Sequence, residues 1–119
     1  MNTEIGENLT VATSYYGAML KKDFVAMAGY LAEDVCFVSP FAKIDGKEAV
    51  LNAAKNFGET LQDIQIRAKF TKGNQAMLAY DMQLPAPVGQ FRAAVLMDFG
   101  NSQITKIELF FDSAPFNEN

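Results

Sequence analysis

The chain has 119 residues, enough for one domain whose core needs no disulfide or metal to hold it. Half of the residues are hydrophobic and 20% are charged, which excludes disorder, and a net charge of −4 excludes a nucleic-acid partner, which would want a basic patch. A single cysteine, Cys36, excludes an internal disulfide framework.

In chain order, Ile5, Leu9, Ala12, Tyr16, Met19 and Leu20 recur at helical spacing, with Val11, Tyr15 and Ala18 as an adjacent stripe. This predicts a first helix covered on more than one side. Lys21 and Lys22 read as a solvated helix end. Asp23 is an N-cap for a short second helix carrying Phe24, Met27, Ala28 and Leu31 on one face. A β-type run, Val35-Cys36-Phe37-Val38-Ser39, stops at Pro40, and Cys36 on it reads as a small core residue. Asp45 with Glu48 resembles a capping box for a third helix with Val50, Ala53, Ala54 and Phe57 as its apolar face and Gly58 at its end.

From residue 61 the period becomes 2. Ile64, Ile66, Ala68 and Phe70 alternate with polar residues, and Lys72-Gly73-Asn74 turns the chain. Ala76, Leu78, Tyr80, Met82 and Leu84 line one face of the next strand. After Pro85-Ala86-Pro87-Val88-Gly89, a third strand carries Phe91, Ala93, Val95, Met97 and Phe99. A turn at Gly100-Asn101-Ser102-Gln103 leads to Thr105, Ile107, Leu109 and Phe111 on the last strand. Helices followed by an antiparallel meander give an α+β fold, as one domain over residues 1–119.

This order of elements resembles the nuclear-transport-factor-2-like superfamily, which includes ketosteroid isomerases and SnoaL-like polyketide cyclases. The resemblance rests on Tyr15, Asp23-Phe24, Leu31-Ala32-Glu33-Asp34-Val35, Ser39-Pro40-Phe41, Asp45-Gly46-Lys47-Glu48-Ala49 and the closing Ile104-Thr105-Lys106-Ile107-Glu108 with Phe111-Asp112. It implies a cone: a curved antiparallel β-sheet, or half-barrel, wrapped around three N-terminal helices. It also implies a homodimer through the outer sheet face. In the ketosteroid-isomerase mechanism a carboxylate removes a proton beside a carbonyl, while a tyrosine and a protonated aspartate hold the enolate oxygen. The tyrosine position falls on Tyr15, the base position on Ser39 and the second donor position on Val95. Ser39 has no useful basicity and Val95 cannot donate, so that isomerisation is not expected. The Asp-Arg-Asp set of related epoxide hydrolases finds Asp81, Arg92 and Asp98, but alternation puts these on the face opposite Tyr80.

The inner face then collects Phe37, Leu78, Tyr80, Met82, Ala93, Val95, Met97, Leu109 and Phe111, with Tyr15 and Ser39 as polar points. The expected function is binding of a small apolar or aromatic molecule. The alternatives are an isomerase, cyclase or hydrolase acting on a small hydrophobic carbonyl substrate with Tyr15 as acid or oxyanion donor, and a dimerisation module with a filled interior. The chain has no histidine, so neither Ser-His nor Cys-His pairs can form. No metal, cofactor or membrane partner is expected. Met1-Asn2-Thr3-Glu4 shows no basic leader, so the expected location is cytoplasmic.

Overall fold

The computed structural model describes the backbone of residues 2–117 and the side chains of 7–114 and 116. Ile5, the first residue of the predicted stripe, lies outside the described side chains. Helix α1 (Asn2–Leu20) is followed by α2 (Phe24–Tyr30), β1 (Leu31–Val38), β2 (Lys43–Asp45) and α3 (Lys47–Thr60). The meander β3 (Asp63–Lys72), β4 (Gln75–Gln83), β5 (Gln90–Gly100) and β6 (Gln103–Phe111) comes next, and the short α4 (Ala114–Asn117) closes the described chain. The six strands form one sheet in the order β2-β1-β6-β5-β4-β3. Every pairing is antiparallel except β1 with β6, which run parallel. The α+β cone is therefore present, with one parallel seam where β1 joins the meander at β6. No described helix is long and apolar enough to cross a membrane.

The helical half is tied together by a few residues. Lys22 takes a left-handed conformation, φ 62°, with Asp23 N–H bonded to the Ala18 carbonyl and Lys22 N–H to the Met19 carbonyl. This is the hydrogen-bond pattern of a Schellman ending, at a position where glycine is usual. Lys21 and Lys22 are exposed as expected, and the Lys22 ammonium also donates to the carbonyls of Gly58 and Leu61, satisfying the end of α3. Asp23 then caps α2 by accepting from Ala26 N–H at 3.2 Å.

Three helix boundaries differ from the sequence reading. Leu31 opens β1 instead of closing α2 and is fully buried. Asp45 is the last residue of β2, and the N-cap of α3 is Gly46, whose φ of 96° suits glycine. Gly58 lies inside α3, where an added Cβ would stand 3.0 Å from Met19 Cγ and 3.2 Å from Phe24 Cε1. Its role is the close approach of the three helices, not termination.

On the sheet, burial alternates cleanly along β4 and β5. Elsewhere bulges interrupt it. A register shift between Ile66 and Ala68 pairs Ala68 with Ala79 and Phe70 with Met77, which moves Phe70 to the outer face at 64% exposure. A second shift at Asp98/Phe99 sets Ile104 and Ile107 inward and leaves Thr105 between them. Such bulges add bend and twist, which an open sheet needs to curl over helices. The outer face carries Asp81, held by Arg92 at 2.9 Å and by Arg67 at 3.8 Å, and Asp98, which accepts from Gln75 at 2.8 Å.

Candidate functional site

The curled sheet and the helices enclose a cavity of about 310 Å³. Helix α1 supplies Tyr15, Tyr16 and Met19, and α3 supplies Val50, Ala53, Ala54 and Phe57 from the apolar face that its spacing defines. The sheet contributes Tyr80 and Met82 from β4, Phe91 from β5, and Ile107, Leu109 and Phe111 from β6. The end of β1 and the loop beyond it add Phe37, Ser39 and Phe41, and α4 adds Phe116.

Two groups of aromatic rings dominate the lining. Tyr15 and Tyr16 meet edge to face at 5.4 Å, and Tyr16 lies 5.0 Å from Tyr80, whose hydroxyl bonds to that of Tyr16 at 3.2 Å. Tyr15 has no hydrogen-bond partner among the described residues. Burial, followed by the neighbouring Tyr16 phenol, pushes the Tyr15 pKa far above its usual value of 10.0. Burial likewise raises Tyr16, with the Tyr80 phenol adding to it. Tyr80 is raised by burial, partly offset by its hydrogen bond with Tyr16. All three therefore stay protonated at neutral pH and serve as neutral donors, not bases.

The second group stands towards the rim, where Phe41 is 54% exposed. Phe116 packs against Phe41 at 5.7 Å, and against Phe91 and Phe111 at 5.3 Å each. Phe41 also meets Phe111 at 5.5 Å. These edge-to-face arrangements put positive ring edges against negative faces.

Of the residues expected at the site, Tyr15, Phe37, Ser39, Tyr80, Met82, Leu109 and Phe111 line the cavity. Leu78, Val95 and Met97 do not. They share the inward face but are sealed in the packed core at 0% exposure. Parity fixes the face a strand residue takes, not whether open space or another side chain stands opposite it. Ser39 Oγ accepts from Phe41 N–H at 3.2 Å, so it shapes the loop at the rim while still lining the cavity. Cys36 is half-exposed rather than in the core, on β1 opposite Asp45 of the short edge strand β2. Its thiol is pushed up, first by hydrogen bonding to Asp45 and then by burial, which weakens it as a nucleophile. Asp112, just past the end of the last strand, is exposed and accepts from Ala114 N–H at 3.0 Å.

Sequence reasoning missed Tyr16, Phe41, Phe57, Phe91 and Phe116 as lining residues. The α3 face and the parity of Phe91 were available signals. Phe41 and Phe116 sit outside any periodic element, so no pattern could have flagged them.

A SnoaL-like domain model matches residues 12–107. None of the curated proteins matches the sequence. Among solved structures, a protein of known function from Kribbella flavida is similar at 27% identity and a TM-score of 0.85, over 91% of this chain and 88% of that one. A nuclear-transport-factor-2-like protein of unknown function from Cytophaga hutchinsonii follows at 22% identity and TM-score 0.80, covering 91% and 92%. An epoxide hydrolase of the LEH-like type from M. tuberculosis shares the fold at 18% identity and TM-score 0.82, covering 92% and 85%. In this chain Asp81 and Arg92 pair on the outer face of the sheet, away from the cavity. Cone, cavity and matched span agree: the chain belongs to the SnoaL-like domain family, with the nuclear-transport-factor-2-like fold.

Proposed function

We propose that this protein binds a small, uncharged, ring-bearing molecule inside the cone and holds a carbonyl or hydroxyl oxygen of it through the Tyr15 phenol. The observation that carries this reading is the lining itself. Aromatic and aliphatic side chains surround about 310 Å³, and among the described residues no charged side chain lines the cavity. A volume at the lower end of the about 300–1,000 Å³ usual for ligand sites suits one or two rings. An ionised ligand would lose its hydration with no countercharge to replace it. Among the described residues the Tyr15 phenol has no partner, and a bound oxygen acceptor would satisfy it. Binding fits this lining better than turnover, since the lining provides neutral donors and no carboxylate to take up a proton.

The test is calorimetric titration with acetophenone, 2-acetylnaphthalene and naphthalene. The ketones should bind more tightly than the hydrocarbon, and Tyr15→Phe should erase about tenfold of that preference while leaving naphthalene unaffected, as expected for one neutral hydrogen bond. Equal affinity of the wild type for naphthalene and its acetyl derivative would remove Tyr15 from the reading. No binding by any of the three would remove the pocket itself.

A further inference from the structure

Helix α4 is four residues long, too short to be stable by its own hydrogen bonds. Its described polar contacts are local: Ala114 N–H to the Asp112 carboxylate at 3.0 Å and Phe116 N–H to the Ser113 carbonyl at 3.0 Å. Among the described side chains, the one that fastens it to the cone is Phe116, seated among Phe41, Phe91 and Phe111. That ring also lines the cavity. The opposite lining at this level is less adaptable, because Phe91 and Phe111 are fixed on neighbouring strands of the sheet. Phe41 and Phe116 both stand outside the sheet, one on the loop between β1 and β2 and the other on α4.

We infer that Phe116 is a specificity-determining residue, the removable outer wall of the cavity that sets the largest ring system the site admits. This rests on the reading of the cavity as a ligand site. It adds that the size limit is imposed by the chain's C-terminal segment rather than by the cone. With Phe116 in place the space suits one or two fused rings. Truncating the side chain removes a phenyl group's volume from the wall beside Phe41, Phe91 and Phe111. The space gained is therefore that of a third ring.

The experiment compares acetophenone, 2-acetylnaphthalene and 2-acetylanthracene by calorimetric titration on the wild type, Phe116→Ala, Phe116→Leu and the outer-face variant Phe110→Ala. Thermal melts of each variant confirm folding. The expected result is that the wild type and Phe110→Ala bind the one- and two-ring ketones and discriminate against the three-ring ketone. Phe116→Ala should gain about tenfold or more for the three-ring ketone, with Phe116→Leu between them. An unchanged ranking in Phe116→Ala, with the smaller ketones still bound by the wild type, overturns this inference and leaves the pocket reading standing. Failure of the wild type to bind any of the ketones overturns both.

Discussion

Leu78, Val95 and Met97 stand on the same inward face of the sheet as Tyr80, Met82 and Phe91, yet the two sets have different surroundings. The first set is sealed at 0% exposure in a dry core with Leu31, Val35 and Ile104. The second borders open volume. A layer of three phenols, Tyr15, Tyr16 and Tyr80, belongs to both: the rings are buried at 2%, 4% and 1% exposure and also line the cavity. Both ends follow one alternation of apolar and polar residues, so the hollow is not a failure of patterning. It arises because large planar rings at one end prop the walls apart, whereas flexible aliphatic chains at the other interdigitate.

The phenol layer gives the largest effect by which this comparison can be broken. All three phenols have folded pKa values raised above 10.0, so the unfolded chain ionises first. Their stabilising contribution is complete below about pH 10 and is lost as pH climbs towards the folded values. Stability should fall by about 4 kcal/mol per pH unit once all three phenols ionise only on unfolding. In a Tyr30→Phe background, which leaves only these three tyrosines, phenolate absorbance and far-ultraviolet circular dichroism followed together through an alkaline titration should then change in one step. Titration of these phenols well before the circular dichroism changes would show that the layer is open to water and that the two ends are not separated.

Next in size is the difference between the ends themselves. Leu78→Ala leaves a void in the closed core and should cost about 2–5 kcal/mol. Leu109→Ala deletes the same atoms from a half-buried side chain that already borders the cavity, and should cost about 1 kcal/mol or less. Urea denaturation of the two variants measures the contrast. Equal losses would mean that the cavity wall is as tightly packed as the core.

The reach of the sequence follows the same division. Alternation along β4 and β5 and the helical faces of α1 and α3 were legible, because a single period places each residue on a face. What period 2 could not supply was the register shift that moves Phe70 outward and the one that brings Ile104 inward. A bulge depends on the partner strand, which local sequence does not specify. The site was legible where it rests on strands and on α1, as at Tyr15, Tyr80 and Phe111. It was illegible at Phe41 and Phe116, which belong to a loop and a four-residue helix held by tertiary contact. Val95 failed for a third reason, since it shares the face of the lining but not its depth.

The smallest effect sharpens the boundary between the two ends. Tyr80 and Tyr16 share one hydrogen bond at 3.2 Å, and both hydroxyls are nearly sealed from bulk solvent, at 1% and 4% residue exposure. Removing one oxygen strands the other, which ordinarily costs about 1–3 kcal/mol. Both rings also line the cavity, so Tyr80→Phe and Tyr16→Phe should each cost about 1 kcal/mol, the low end of that range. The double variant removes donor and acceptor together, leaves nothing unsatisfied, and keeps both rings in place. It should therefore be less destabilised than the sum of the singles, with a coupling of about 0.5–1 kcal/mol in a double-mutant cycle. Strict additivity would mean that each hydroxyl is satisfied independently by cavity water. The tyrosine layer would then belong to the hollow end alone rather than to the closed core as well.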